Sequence, residues 1–223
     1  MNGHDSQDPY LSLMGVQEYV PRAEAVASGE VPMSVSCPAS ADWTALRQAV
    51  AACSRCTLHE TRTQTVFGVG RADADWLFIG EAPGEQEDLR GEPFVGRAGQ
   101  LLDEMIRALG LEREQVFIAN ILKCRPPKNR DPSSQESEAC EPFLVEQVRM
   151  VAPKIIVAVG RIAAQNLLKT QTPIGKLRGT IHDYEGIPVV VTYHPAYLLR
   201  SQTEKRRAWE DLKLARRIAA ETG

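Results

Sequence analysis

The chain has no apolar run approaching the roughly 18 or more residues that a membrane-crossing helix requires. Nor does it open with a basic segment followed by an apolar stretch, the pattern of a secretory signal. No internal repeat is visible. Neither a phosphate loop ending in GK[ST] nor a GxGxxG follows the first apolar strand-like run, which weakens a nucleotide-binding reading. Excess positive charge is missing too, since the formal net charge is −3. The expected compartment is a reducing cytoplasm, where cysteines serve metal binding or catalysis more often than disulfides.

What is present suffices for one real core: 223 residues, 43% of them hydrophobic and 25% charged. The charge is unevenly spread. Residues 1–44 carry Asp5, Asp8, Glu18, Glu24, Glu30 and Asp42 against Arg22 alone, which leaves the remainder net positive. Lys123, Arg125, Lys128 and Arg130 fall in one stretch, and Arg200, Lys205, Arg206 and Arg207 in another. Phosphate contacts are local, so such clusters favour a nucleic-acid partner, though only slightly, because solvated faces are often basic. Residues 1–43 lack sustained periodicity and are rich in Gly, Pro, Ser and Asp. They are expected to form a mostly disordered leader with a short helix near Leu11–Val20, ahead of a single domain over 44–223.

From Asp42 the pattern changes. Trp43–Ala52 reads as a helix. Four short, almost continuous apolar runs follow, Trp76–Gly80, Val116–Ala119, Ile155–Gly160 and Val189–Tyr193, as expected of parallel strands covered on both faces. Helical patterns lie between and after them at Ala98–Leu109, Ser134–Val151, Arg161–Leu168 and Thr203–Ala220. This alternation predicts an α/β fold, a three-layer α/β/α sandwich around a central four-stranded parallel sheet. Such folds bind ligands at the carboxyl ends of their strands.

Five cysteines occur. Cys53 and Cys56 form a CxxC pair, and Cys124 and Cys140 stand far downstream, where folding could bring them to the same centre. Four thiolates suit tetrahedral zinc or an iron–sulfur cluster. Buried free thiols or a redox CxxC are the plainer readings. Cys37, in the leader, is read as a bystander.

The strand ends carry the remaining candidates. The first strand runs into Gly80-Glu81-Ala82-Pro83-Gly84, a tight turn whose amides can approach a ligand closely. In the glycine-rich stretch Gly91–Gly99, Phe94 packs either into the core or on a flat base. Asn120 ends the second strand and offers both donors and an acceptor, matching a pyrimidine edge. His194 follows the fourth strand, ahead of a proline-fixed loop carrying Leu198, Leu199 and Arg200. Each has a plain structural alternative, but four such candidates converge on one mouth.

Taken together, GEAPG at 80–84, GEPFVGRAGQLL at 91–102, NILKCRPPKNRDP at 120–132, Cys140 and HPAYLLR at 194–200 resemble the family-four, iron–sulfur uracil-DNA glycosylases over about residues 44–217. The resemblance implies a 4Fe-4S cluster on Cys53, Cys56, Cys124 and Cys140. It also implies uracil contacts from Gly80, Glu81, Ala82, Phe94, Asn120 and His194, with Glu81 and His194 catalytic. The same resemblance suggests DNA contacts from Arg125, Lys128, Arg130 and Arg200, with Leu198 or Leu199 filling the vacated base stack. The implied activity is hydrolysis of the N-glycosidic bond of a flipped uracil, by a monomer acting on single- or double-stranded uracil-containing DNA with no membrane partner.

Two departures bear on this. Position 196 is Ala where Ser is also common, which removes one loop hydroxyl. The segment Arg125–Asp131 holds no histidine, unlike a related branch that traps DNA covalently, so multiple turnover is expected. The rival reading is a non-catalytic, metal-stabilised DNA-binding module, which would bind DNA without releasing uracil.

Overall fold

The computed structural model describes residues 42–222. The expected leader, its short helix at Leu11–Val20 and Cys37 lie outside the described residues, apart from Asp42 and Trp43 at the leader's end.

Asp42 caps the first helix, α1 (Trp43–Ala51), by accepting the Thr44 N–H at 2.8 Å. The sheet has six strands: β1 (Val69–Gly70), β2 (Trp76–Gly80), β3 (Phe117–Asn120), β4 (Ile155–Val159), β5 (Ile181–Tyr184) and β6 (Ile187–Thr192), in the spatial order β1-β3-β2-β4-β6-β5. The central four are parallel and correspond to the expected strands within a residue or two. The two edge strands, both antiparallel, were not anticipated. β1 has two residues, too few to show a period, and β5 is largely exposed, with no apolar run to mark it.

Strand residues alternate between two cores. Leu77, Ile79, Phe117, Ala119, Ile156, Ala158, Val189 and Val191 face α1, α4 (Ser134–Val151), α5 (Arg161–Leu167) and α6 (Ile174–Leu177). Phe78, Ile118, Val157, Val159 and Val190 face α3 (Arg97–Ala108), α7 (Pro195–Arg200) and α8 (Lys205–Glu221). Helices on both faces explain why these strands read as continuous apolar runs rather than alternating ones. Each fully buried Leu, Ile, Val or Phe contributes about 1.5–3 kcal/mol, so the sheet is a firm platform for whatever its ends carry. α4 begins in a capping box: Ser133 accepts the Glu136 N–H, and the Glu136 carboxylate accepts the Ser133 N–H.

Candidate active site

Parallel pairing sets Gly80 beside Asn120 and Val159 beside Thr192, so the residues that follow these strands emerge along one rim. There they border a cavity of about 930 Å³. Glu81, Ala82, Phe94, Asn120, His194, Arg130 and Arg200 all line it, as do Asp131, Arg161, Tyr193 and Tyr197, which sequence reasoning did not single out.

Gly80 lies beneath two of these groups. A Cβ on it would stand 2.4 Å from Asn120 Oδ1 and 2.6 Å from Phe94 Cζ. Only a residue without a side chain lets the amide and the ring close over the strand end. Phe94 adopts φ +54°, a left-handed backbone uncommon for an aromatic residue. Its loop is clamped there. The Glu87 carboxylate, on α2 (Glu85–Arg90), accepts the Val95 and Gly96 N–H groups at 3.0 and 3.1 Å. A Cβ on Gly99 would meet the Phe94 carbonyl oxygen at 1.7 Å, so the loop lies directly on the first turn of α3. The Phe94 ring is 7% exposed and packs with the core, as one of its two alternatives had it, and it also borders the cavity.

Asn120 is 3% exposed, and its Oδ1 is buried with no hydrogen-bond partner. Leaving an acceptor in this state costs about 1–3 kcal/mol, and this one belongs to a residue lining the cavity. His194 caps α7: its Nδ1 accepts the Ala196 N–H at 3.1 Å. The proton of the neutral ring therefore resides on Nε2, which is left as a donor. Burial, with help from the Arg200 charge, pushes the His194 pKa down to about 4, so the ring is neutral at pH 7. It stacks at 5.7 Å on Phe94. Glu81 behaves in the opposite sense. Burial, reinforced by the nearby Asp131 charge, raises its pKa to about 7, against the pull of Arg161. Asp131 and Arg161 form an ion pair at 2.6 Å.

The expected wedge needs correction. HPAYLLR is a helix with Pro195 in its first turn, not a loop. Leu198 falls on the same face as Pro195 and is 1% exposed, packed in the core, so it is not a surface wedge. Leu199 is half-buried, and neither leucine lines the cavity. The exposed ring of this segment is Tyr197, 5.0 Å from Tyr193. Helical spacing, had it been applied to this segment, would have separated Tyr197 from Leu198. Arg161 also had a signal, since it directly follows the expected third strand, Ile155–Gly160.

The basic stretch divides. Lys123 is interior, at 1% exposure, and takes no part in any surface cluster. Arg130 forks onto Glu136 at 2.6 and 2.8 Å, and that guanidinium holds the Glu136 pKa down at about 2. Arg125 donates to Asn129 Oδ1 at 2.8 Å, and Lys128 is exposed; neither lines the cavity.

Cys53, Cys56, Cys124 and Cys140 come together around a second, small cavity, with Arg55, His59, Arg62 and Lys123 among its lining and no carboxylate. Arg62 donates to Cys124 Sγ at 3.1 Å, and the Lys123 N–H donates to Cys140 Sγ at 3.3 Å. The Arg55 guanidinium lies 4.9 Å from the Phe143 ring centroid. As they stand, no three His, Cys, Asp or Glu side chains among the described residues are arranged to hold a single metal ion. The four thiols surround a space rather than a point.

A family model described as the uracil DNA glycosylase superfamily matches residues 67–213. The chain is 48% identical over 158 residues to a type-4 uracil-DNA glycosylase of Archaeoglobus fulgidus, covering 67% of this chain and 79% of that one. It is 43% identical over 175 residues to a type-4 uracil-DNA glycosylase of Thermotoga maritima, covering 77% and 91%. A type-5 uracil-DNA glycosylase of Pyrobaculum aerophilum is more distant, at 34% over 172 residues, covering 69% and 75%.

Proposed function

The chain belongs to the uracil DNA glycosylase superfamily, and from that premise we propose that it is a repair glycosylase that hydrolyses the N-glycosidic bond of uracil in DNA, leaving an abasic site and free uracil. The observation that carries the reading is the unpartnered, buried Oδ1 of Asn120 beside the Phe94 ring. It is an acceptor held at a cost, awaiting a ligand donor such as the N3–H of uracil. The Asn120 side-chain amide can donate to the adjacent carbonyl of the base.

The chemistry follows from the charges around the cavity. A base inside a duplex is out of reach and must be flipped out. Phe94 supplies a flat apolar face for it, and the Gly80-Glu81-Ala82 turn supplies backbone amides. As the glycosidic bond breaks, its electron pair passes to the uracil ring and the sugar becomes cationic. Neutral His194 donates from Nε2 to the uracil oxygen where negative charge grows, and because the ring is already desolvated it need not reorganise. Glu81, ionised above about pH 7, favours the cationic sugar and accepts a proton from the water that adds to it. The departing uracil anion is then protonated from solvent. Arg200 and Lys128 are exposed phosphate contacts, Arg125 is half-buried, and Arg130 is limited by its pairing to Glu136.

The donor set suits a 4Fe-4S cluster on Cys53, Cys56, Cys124 and Cys140: four sulfur ligands and cationic neighbours for a negatively charged group. Such a group supplies a cross-link, joining the segment after α1 to the Cys124–Cys140 segment. Action in a reducing cytoplasm as a monomer, with multiple turnover, completes the reading. Among the described residues no helix is long and apolar enough to cross a membrane.

The test is direct. Purified protein is incubated with single- and double-stranded oligonucleotides carrying one uracil, and abasic sites are then cleaved with alkali. Strand cleavage that depends on uracil supports the reading. Tight DNA binding without cleavage establishes the binding-module alternative instead.

A further inference from the structure

We propose that Lys123 is a positioning residue for uracil recognition, linking the cysteine-bound group to the strand end that carries Asn120. The inference rests on the base-excision reading above. Lys123 Nζ donates to the Asn120 main-chain carbonyl at 2.8 Å and to Gln147 Oε1 at 2.6 Å. Gln147 is fully buried and is itself held in place by donating from Nε2 to the Phe67 carbonyl at 2.8 Å. No carboxylate pairs with Lys123 among the described residues. On its other side, the Lys123 N–H donates to Cys140 Sγ at 3.3 Å, and Cys124 is the next residue in the chain.

Two neutral carbonyl oxygens do not explain a buried ammonium, because a neutral amide would serve them without the cost of desolvating a charge. A buried cation calls for an anion, and the sulfurs of Cys124 and Cys140, as ligands of a cluster, supply one. The carbonyl that Lys123 holds is the last of β3, so fixing it fixes the direction in which Asn120 projects its side chain over Gly80. Lys123 thereby makes the aim of the base-reading amide depend on the group bound by the cysteines. Lys123 also lines the cavity that the four thiols border, so its charge bears on the potential of whatever they bind, since net charge and hydrogen bonds to sulfur set that potential.

The experiment compares wild-type holoprotein with Lys123→Met and Gln147→Leu. It measures iron per chain, the reduction potential of the cluster, thermal melts, and inhibition of glycosylase activity by free uracil. In iron-replete Lys123→Met the potential should move negative, because a cation that favours the reduced cluster is gone. Inhibition by free uracil should weaken roughly tenfold, the scale of one bidentate base contact. Gln147→Leu keeps the charge, so its potential should move less while uracil binding still weakens. The proposal is overturned if Lys123→Met holds its iron with both potential and inhibition unchanged. It is equally overturned if uracil binding falls only in proportion to the melt while the potential stays put. Should Lys123→Met fail to fold, Gln147→Leu decides alone: weaker inhibition at a retained melt supports the link, and unchanged inhibition ends it. A wild-type protein that neither holds iron nor releases uracil removes the base-excision reading, and this inference with it.

Discussion

The strand-end cavity and the cysteine cavity share one short segment of chain, Asn120 to Cys124, yet they are built on opposite rules. Around the cysteines the hydrogen bonds are made: Arg62 donates to Cys124, the Lys123 backbone to Cys140, and the Lys123 ammonium to two carbonyl-type oxygens, with only its charge left for a bound group to answer. Around the larger cavity the reactive groups are held away from their most comfortable states. Asn120 Oδ1 has no partner, His194 is kept neutral, and Glu81 is kept near half-protonation at neutral pH. Saturated groups hold a structure in place, whereas groups left wanting act on something that arrives. Substitutions on the two sides should therefore differ in kind: on one side the fold fails first, on the other the chemistry does.

The largest effect is expected on the saturated side. Cys124→Ala should lose the broad absorbance near 400 nm expected of a thiolate-bound cluster, because ligand binding and folding free energy are coupled at such sites. A loss of several kcal/mol would lower the melting temperature by about 10 °C or more. Stoichiometric zinc in place of iron in anaerobically purified wild-type protein would refute the iron–sulfur assignment. Next comes His194→Ala, which should slow single-turnover uracil release by about 10²–10³, the usual value of one donor aimed at a developing anion. DNA affinity across a salt series should change far less, because it rests on phosphate contacts. A wild-type rate from this variant removes His194 from the chemistry. Asn120→Asp should cost roughly tenfold or more in activity on uracil, since a carboxylate cannot donate to a base carbonyl. Unchanged selectivity would reduce Asn120 to a strand terminator.

Phe94→Ala blurs the contrast usefully, because the ring belongs to both cavity and core. About 1–3 kcal/mol of base stacking should disappear from the glycosylase rate, and a melt that falls in step would assign the ring to the core. The smallest effect concerns pH. The Glu81 pKa is raised in the folded protein to about 7 from its ordinary 4.5, so its contribution to stability is fully present below pH 4.5 and lost as pH rises through 7. Glu81→Gln should therefore melt higher than wild type at pH 8 and lose that advantage at acid pH. It should also lose the rise in rate through neutrality expected of the wild type. His194 has the opposite sign: its lowered pKa costs stability as pH falls from about 6.5 towards 4. Equal melts at pH 8 would show that Glu81 is not buried against its charge.

Much of this was legible in the sequence, and the failures share a cause. The four parallel strands could be read because burial on both faces makes each an unbroken apolar run, as in Ile155–Val159. The residues at their ends could be read because a parallel sheet delivers its chemistry there. The antiparallel edges escaped, since Val69–Gly70 is too short and Ile181–Tyr184 too exposed to carry a pattern. Leu198 was misplaced because a proline suggested a loop where it in fact starts a helix. Lys123 looked like one more surface cation, and nothing in its neighbours announced that its ammonium turns inward. The unpaired atom of Asn120 and the proton position on His194 depend on contacts between distant segments, which no local pattern encodes.

Gly80 has a consequence for how this enzyme can vary over generations. Its backbone is ordinary strand, so alanine would suit the local conformation. A single methyl group would nonetheless occupy the place where Asn120 and Phe94 meet. A survey of random variants should therefore find this position costly for stability, because the core ring of Phe94 must yield, and closed for uracil excision.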